Sequence, residues 1–325
     1  MPRERIVAGA IFVPQKARNP RPGAKIRWGG MATRLNVLER RFEGPLARRL
    51  TAAASSMGIT LYWLGQAGFV IQAGARRLII DPYLSDTLAA KYTGTTTPHE
   101  RIERPPIQPA ELGRIDLALA THHHTDHMDS GTLAPLAQLR LDLLFVVPRA
   151  SQSEALKRIG ATNDRLIPMD AGERIEPWPG LSIVALRAAH ESLETDVEGN
   201  HRFLGYALIF GVEGNYVSII HSGDTIPFAG QREEYRRMQP DLLLLPVNGR
   251  SEALAARGIA GNLTLDEAVA LTVESGAPAT IAHHHGLFAF NTLPVADIER
   301  KAVEPGLPIQ LIPARLGLEV VVSSS

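Results

Sequence analysis

Histidine and aspartate side chains crowd into one short stretch, residues 121–129, which reads THHHTDHMD. It contains an H-x-H-x-D-H pattern formed by His122, His124, Asp126 and His127. Imidazole nitrogens and carboxylate oxygens are common ligands of divalent metal ions in proteins. The stretch directly follows an apolar run, IDLALA, which predicts a buried strand ending in a ligand-rich turn. We therefore predict that these four side chains bind metal, because a solvated histidine tract would have no reason to follow a core strand.

Three further predicted strand ends carry a histidine or an aspartate. His190 ends the apolar run SIVALRAAH, and Asp224 follows YVSIIHSG. A third run, ATIA, leads into three consecutive histidines at 283–285. A stable site for two ions needs ligands beyond the first turn, and strand ends at one edge of a fold can supply them. The sequence therefore predicts a binuclear metal site, in which any one of the three late histidines could be a ligand.

The composition excludes several other kinds of site. The 325-residue chain has no cysteine, which excludes disulfides, iron–sulfur clusters, thiol nucleophiles and cysteine-bound zinc. It has no GxSxG elbow, no P-loop and no glycine-rich dinucleotide motif. No apolar run reaches the roughly 18 residues of a membrane span, and the amino terminus imitates a signal peptide only weakly. We expect a cytoplasmic protein with no membrane partner.

Basic residues are concentrated at the start of the chain. Residues 1–50 hold twelve Lys/Arg and three Asp/Glu, although the formal net charge of the whole chain is zero. The remainder is therefore acidic, which disfavours a nucleic-acid partner even though the basic arm could touch one. We expect residues 1–57 to form a basic extension, partly disordered and then helical, with one or two short helices over 33–56. A single domain is expected over 58–325.

Strands outnumber helices in the body of the chain. The stretch 59–72 predicts two strands joined by a glycine-marked turn. Helices fall between groups of strands, as where Thr264 and Glu267 form a capping-box pattern and Gly276 ends the helix. This pattern favours two sheets packed face to face with helices outside, in one domain. A Thr- and Pro-rich segment at 86–110 is long enough to be a lid over the site.

Taken together, the motifs resemble the metallo-β-lactamase superfamily. THHHTDHMD, AAH, SGDT and the late HHHGLF match its order and rough spacing. WLGQAGF, IDPYLSD, PPIQP, HSGDT, LLPVNGR and GNLTLDEA are similar to the branch that contains L-ascorbate-6-phosphate lactonase. The resemblance covers about residues 59–318. It implies an α+β fold of four layers, αββα, with two mixed β-sheets packed face to face and helices outside.

The resemblance also implies a role for each metal ligand. One ion would be bound by His122, His124 and His190. The second ion would be bound by Asp126, His127 and a late histidine, and Asp224 would bridge the two ions. We expect two divalent ions, Zn²⁺ or Mn²⁺. The absence of thiolates removes one reason to insist on zinc, and carboxylates tolerate manganese. The resemblance to the lactonase makes manganese a serious option.

The identity of the late ligand depends on the run of three histidines. The superfamily pattern fits His284 best, since His285 and Gly286 follow it, and His283 is the alternative. Asp126 is expected to have a second role, in which it accepts a proton from the attacking water while remaining a ligand.

Five further residues are candidates for contacts around the metal ions. Arg250 and Asn248, in the VNGR turn after a buried strand, could hold an anionic group such as a phosphate. His99 could contact the substrate from the 86–110 segment. Asp81 and His221 are expected behind the ligands, with Asp81 orienting a ligand histidine. The alternatives are a solvated arginine for Arg250, an ordinary loop histidine for His99 and a turn aspartate before proline for Asp81. For His221, which is expected to pack behind the ligands, the alternative is a metal ligand.

The chemistry expected of this site is hydrolysis. A hydroxide shared by two metal ions can attack an electrophilic carbonyl or phosphorus at neutral pH. We predict a metal-dependent hydrolase that opens a small lactone or ester, preferably a phosphorylated one. The alternative is a phosphodiesterase acting on cyclic phosphodiesters or nucleotides with the same ligands; a non-catalytic metal- or partner-binding protein is disfavoured by the complete ligand set. The expected partner is a small anionic molecule, and a homo-oligomer is left open.

Overall fold

The computed structural model describes residues 35–52, 58–212 and 215–324. These residues form fifteen β-strands and eight α-helices. The strands are β1 (Leu35–Arg41), β2 (Ile59–Gly65), β3 (Gly68–Ala73), β4 (Arg76–Ile80), β5 (Leu117–Leu119), β6 (Leu144–Pro148), β7 (Leu166–Met169), β8 (Arg174–Trp178), β9 (Leu181–Arg187), β10 (Leu204–Val212), β11 (Asn215–His221), β12 (Leu242–Pro246), β13 (Ala279–His283), β14 (Gln310–Pro313) and β15 (Leu318–Ser324). The helices are α1 (Leu46–Thr51), α2 (Thr87–Lys91), α3 (Ser130–Leu139), α4 (Gln152–Ile159), α5 (Gln231–Arg237), α6 (Glu252–Ala255), α7 (Leu265–Ser275) and α8 (Val295–Ala302).

The strands form two mixed sheets of similar design. The first has eight strands in the order β1-β15-β2-β3-β4-β5-β6-β7, and the second has seven in the order β14-β13-β12-β11-β10-β9-β8. In the first sheet β4 to β7 are parallel neighbours and the other pairs are antiparallel. In the second sheet β11 to β14 are parallel neighbours. Each parallel set places several carboxyl strand ends at one edge of its sheet.

Alternating side chains place the main core between the two sheets. In β2, Ile59 and Leu61 join the core shared with the second sheet, whereas Tyr62 and Leu64 pack under the helices of the first sheet. This alternation follows from the two-residue period of a strand. Because both faces are covered, the strands read as nearly continuous apolar runs, which is typical of buried mixed sheets.

Helices cover the outer face of each sheet. Apolar residues of α1, α3 and α4 pack on the first sheet, and those of α5, α7 and α8 pack on the second. The structure therefore confirms the predicted αββα sandwich of two mixed sheets. None of the described helices is both long enough and apolar enough to cross a membrane.

The capping signals read from the sequence are confirmed for α7. Thr264 Oγ1 accepts a hydrogen bond from the Glu267 N–H, and the Glu267 side chain accepts one from the Thr264 N–H. Gly276 ends the helix with φ of 82°. Such a left-handed end favours glycine, which has no Cβ to clash.

The helical prediction for residues 33–56 is wrong over its first part. Residues Leu35–Arg41 form strand β1, which pairs antiparallel with β15, and only Leu46–Thr51 is helical. The open edge of β15 offers a row of unpaired backbone groups, and pairing with them outweighs a weak local preference for helix. Residues 1–34 and 53–57 lie outside the described residues, so the disorder expected at the start stays a prediction. The expected division at residue 57 does not set β1 and α1 apart, because β1 pairs with β15 and α1 packs on the first sheet.

Asp241 provides a test of the packing around the second sheet. Its Oδ2 accepts a hydrogen bond from the Ser218 N–H at 2.7 Å, but burial raises the pKa of its carboxyl from 3.8 to about 6. The ionised form therefore costs stability; this cost is absent below about pH 4 and full above about pH 6. We expect Asp241→Asn to raise the free energy of unfolding at pH 8 by roughly 1 to 3 kcal/mol. Urea unfolding at pH 8 and pH 4.5 measures this, and a gain that does not shrink at the lower pH contradicts the prediction.

Candidate metal centre

The predicted ligands come together where strand ends of the two sheets meet. In the first sheet the residues after β4 and β5 supply Asp81 and the stretch 121–129. In the second sheet the residues after β9, β11 and β13 supply His190, Asp224 and His284. The two sheets are joined at this edge, since the Leu204 N–H donates to the Thr121 carbonyl at 3.0 Å. The strands thus place residues that are far apart in sequence at one site.

Three histidines form the group that we call the first metal position. One nitrogen of each of His122, His124 and His190 lies within 4.8 Å of the others. The Phe203 ring packs against all three, with centroid distances of 5.1, 5.7 and 5.3 Å. This apolar wall fixes the rings without offering a hydrogen bond that would compete with a metal ion.

Asp126, His127 and His284 form the second metal position. One donor atom of each lies within 4.8 Å of the others, and His122, His127 and Asp224 form a further group of the same kind. Asp224 Oδ1 lies 3.3 Å from both His127 Nε2 and His284 Nε2. Its Oδ2 lies 3.7 Å from His190 Nε2. The two oxygens of Asp224 thus face different histidines, as the predicted bridge requires.

Buried atoms without hydrogen-bond partners test whether these residues suit a metal ion. His122 Nε2, His127 Nε2 and Asp224 Oδ1 are buried, and no described residue makes a well-formed hydrogen bond to them. A buried polar atom left unsatisfied typically costs about 1–3 kcal/mol. Divalent ions bound by imidazole and carboxylate would satisfy these atoms, so the donor set fits Zn²⁺ or Mn²⁺. The number and identity of the ions stay predictions.

Burial keeps the histidines of the first metal position neutral. Desolvation lowers the pKa of His122 well below its usual range and also lowers the pKa of His190. Desolvation is also the main cause that lowers the pKa of His124 to about 4. Neutral imidazoles have a free lone pair at neutral pH, which is the state that a metal ion binds.

His127 has the opposite character. Burial disfavours its charge, but the nearby carboxylates of Asp224, Asp81 and Asp126 outweigh burial and raise its pKa well above the usual range. In the same way, the charges of His127 and His284 outweigh burial and hold the pKa of Asp224 well below its usual range. In the absence of a metal ion, a proton on His127 therefore offsets part of the negative charge.

Asp81 lies directly behind His127. Its Oδ2 lies 2.7 Å from His127 Nδ1 and accepts a hydrogen bond from Thr121 Oγ1 at 2.6 Å. Its Oδ1 accepts one from the Thr121 N–H at 2.8 Å. These bonds hold the proton on Nδ1 and turn Nε2 toward the second metal position, which is how a carboxylate orients a ligand histidine.

His221 and His283 lie away from the ligand cluster. His221 Nε2 donates to the Ala67 carbonyl at 2.8 Å, and its Nδ1 accepts from the Gly223 N–H at 3.1 Å. Its ring stacks on His283, with centroids 5.1 Å apart. His221 therefore supports the turn that carries Asp224. Of the three late histidines, the structure brings His284 into the metal groups.

The VNGR turn is engaged in contacts of its own. Arg250 Nη1 and Nη2 each lie 2.6 Å from a Glu267 carboxylate oxygen, and Nη1 also donates to the Asn262 carbonyl. Asn248 Nδ2 donates to Asn291, and its Oδ1 accepts from Asn262 Nδ2. An anion that binds Arg250 in a bidentate manner would therefore have to replace Glu267.

His99 belongs to an aromatic cluster on the 86–110 segment. Its ring stacks on Tyr92 at 4.1 Å and meets Phe288 and Phe290 edge-on at 5.0 and 4.8 Å. Burial is the main cause that lowers its pKa, although the charge of Asp126 acts in the opposite direction. The segment contains helix α2 and bonds to the loop after His284 through the Ile102 N–H and the Leu287 carbonyl. Its role as a lid stays a prediction.

Sequence reasoning missed Gln66 as part of the site. Its Nε2 donates to Asp126 Oδ2 at 2.9 Å and lies 3.1 Å from His284 Nε2. Gln66, Asp81 and His284 are three of the four described non-glycine residues with positive φ. Such backbone is uncommon and clusters at functional sites. The WLGQAGF turn was the available signal, but nothing local shows which way its glutamine points.

Comparisons with known proteins show the family to which the chain belongs. The sequence model of the beta-lactamase superfamily domain matches residues 76–285. A "UPF0173 metal-dependent hydrolase" of Polynucleobacter asymbioticus is 31% identical over 218 residues, which are 61% of this chain and 67% of that protein. The chain therefore belongs to the beta-lactamase superfamily. Within it, the chain is a member of the class of metal-dependent hydrolases.

Solved structures show the same fold. An isothiocyanate hydrolase from Delia radicum gut bacteria matches with a TM-score of 0.63 and 18% identity, covering 80% of this chain and 98% of that one. Igni18, a metallo hydrolase from Ignicoccus hospitalis, matches with a TM-score of 0.59 and 19% identity, covering 81% and 97%. At these identities the likeness concerns the fold and not the substrate.

The contact between Asp81 and His127 yields a test of the metal centre. In Asp81→Asn the amide cannot accept from both Thr121 and His127 as the carboxylate does, so the orientation of His127 is lost. We expect metal affinity to fall by roughly 10- to 100-fold. Chelator competition measures the affinity. Asp241→Asn is the matched control, because Asp241 contacts Ser218 and no metal group; an equal loss in both variants would refute the assignment.

Proposed function

We propose that the protein hydrolyses a small lactone or ester, preferably a phosphorylated one, with two divalent ions, Zn²⁺ or Mn²⁺. The observation that carries the proposal is the placement of Asp224 between two groups of ligand atoms. Its Oδ1 lies 3.3 Å from His127 and His284, and its Oδ2 lies 3.7 Å from His190. A carboxylate shared in this way suits a pair of ions that act on one substrate bond.

The residues divide into two sets of ligands. His122, His124 and His190 would hold one ion, Asp126, His127 and His284 the other, and Asp224 would join them. When bound, such ions supply Lewis acidity and make water a stronger nucleophile at neutral pH. The chain's own contribution is to keep the imidazoles neutral by burial, to orient His127 through Asp81 and to exclude bulk water from the ligands.

Asp126 is the carboxylate best placed to accept a proton. Its side chain is 18% exposed, whereas that of Asp224 is 4% exposed. Burial would raise its pKa, but the charges of His127 and His284 outweigh burial and lower it, so Asp126 is ionised at neutral pH. Gln66 fixes its Oδ2. A positioned carboxylate of this kind can take a proton from an attacking water in reach of the substrate.

The proposal of an anionic substrate rests on Arg250 and Asn248. Arg250 and Asn248 lie on the turn after β12, and a phosphate would bind Arg250 in exchange for Glu267. His99 presents a ring kept neutral by burial within an aromatic cluster. The lactone stands first because the LLPVNGR and GNLTLDEA motifs resemble the lactonase branch, and the phosphodiesterase is the alternative that the assay below separates.

An activity screen of metal-reconstituted protein tests the proposal. We expect turnover of phosphorylated lactones or acyl esters to exceed turnover of bis-p-nitrophenyl phosphate. Asp126→Ala should reduce kcat by about 10²- to 10⁴-fold. Metal content measured in parallel separates loss of an ion from loss of the proton acceptor. Faster turnover of the phosphodiester would favour the alternative, and an unchanged rate in Asp126→Ala would rule out the proposed role of Asp126.

Arg250 allows a separate test of anionic substrates. Arg250→Met should raise KM for a phosphorylated substrate by roughly 10- to 100-fold, since a charged hydrogen bond contributes about 1.5–3 kcal/mol. KM for its unphosphorylated analogue should change little. Arg236→Met is the matched control, because Arg236 bonds the Glu274 carbonyl on the surface. Equal effects on both substrates would mean that Arg250 serves only to hold Glu267.

A further inference from the structure

Gln66 sits in a turn that is fastened directly to the metal centre. It lies between β2 and β3, has a φ of 50° and is 4% exposed. Its carbonyl accepts a hydrogen bond from the His284 N–H at 2.9 Å and another from Trp63 Nε1 at 3.0 Å. The backbone of Gln66 is therefore fixed against the residue that carries the late ligand, and its side chain has little freedom to leave.

The side-chain amide of Gln66 faces two groups of the second metal position. Its Nε2 lies 2.9 Å from Asp126 Oδ2 and 3.1 Å from His284 Nε2. A carboxylate accepts hydrogen bonds and cannot donate them when ionised, so the NH₂ end of the amide must face Asp126. The same NH₂ end then faces His284, and its two N–H groups can serve both partners.

The two partners of this amide differ in how many lone pairs they have. A carboxylate oxygen has two lone pairs, so Asp126 Oδ2 can accept a hydrogen bond from Gln66 and bind a metal ion at the same time. The Nε2 of a neutral imidazole has one lone pair when the ring proton is on Nδ1, which is the tautomer that binds a metal through Nε2. A hydrogen bond from Gln66 to His284 Nε2 and a metal ion at the same atom therefore exclude each other.

We propose that Gln66 weakens ion binding at the second metal position by occupying the Nε2 lone pair of His284. In the first metal position, by contrast, Phe203 packs on His122, His124 and His190, and no described residue forms a hydrogen bond with His122 Nε2. The chain then fills its first metal position at a lower ion concentration than its second. Gln66 increases the difference between the two dissociation constants. The inference rests on the two-ion site of the proposed function.

The test is isothermal titration calorimetry, in which Mn²⁺ is added to the chelator-treated full chain and the Kd of each ion is measured. In Gln66→Leu, a variant of similar size without an amide, the Kd of the second ion should fall by roughly three- to tenfold, as expected for the loss of one competing hydrogen bond. The Kd of the first ion should not change. Gln66→Asn, whose amide is one methylene shorter and which tolerates positive φ, should act in the same direction.

Gln72→Leu is the matched control. Gln72 lies on β3, the strand that follows this turn, and bonds the Gly74 carbonyl and Arg77 instead of a predicted ligand. Replacing it should leave both Kd values unchanged. Thermal melting in excess chelator checks that each variant folds, and Gln66→Asn serves if Gln66→Leu does not.

The outcomes separate this inference from the proposed function. If the second ion binds the Gln66 variants equally or more weakly than the unaltered chain, the inference is overturned. The amide would then have no effect on binding of the second ion or would strengthen it. If the unaltered chain takes up one ion and Gln66→Leu takes up two, the inference holds; if both take up one, it fails together with the two-ion site. A tighter second ion without hydrolysis of any substrate would leave the inference standing and would count against the proposed function alone.

Discussion

The site depends on one constraint, which is that carboxylates and histidines buried together must offset each other's charge. Asp81, Asp126 and Asp224 surround His127, whose own side chain is fully buried. Alone, each of these charges would carry a large desolvation cost. Side by side, the charges lower the pKa of Asp126 and Asp224 and raise the pKa of His127. Divalent ions, when bound, would supply the positive charge that the His127 proton supplies in their absence. The arrangement therefore favours metal binding before any particular ligand distance is considered.

That balance requires the two sheets to meet at a fixed position. Thr121 connects them, because its N–H and hydroxyl bind Asp81 while its carbonyl accepts from the Leu204 N–H. At the same join a Cβ added to Gly223 would lie 2.5 Å from the Leu204 carbonyl and 3.0 Å from Thr121. Glycine is therefore needed one residue before Asp224, since any side chain would push the predicted bridging ligand away from the sheet that carries His122.

The sequence allowed the fold and most of the cluster to be predicted because the relevant signals are local. An apolar run followed at once by histidine or aspartate marks a strand end, as at His122 and Asp224, and parallel strands bring such ends together. The role of Gln66 could not be read in this way, because its partners are 60 and 218 residues distant along the chain. Strand β1 was missed for the same reason, since its preference for strand comes from pairing with β15.

Arg250 shows why a residue's type predicts less than its contacts. An arginine after a buried strand is a residue type that suits a phosphate. In the fold, however, Arg250 binds the carboxylate of Glu267, from the first turn of α7. The same carboxylate also accepts from the Thr264 N–H, so it caps a helix while it holds the guanidinium. An anion that takes Arg250 must therefore weaken a helix cap as well as an ion pair. If Arg250 binds the substrate as proposed, substrate affinity would be coupled to the stability of α7, a link that neither motif reveals alone.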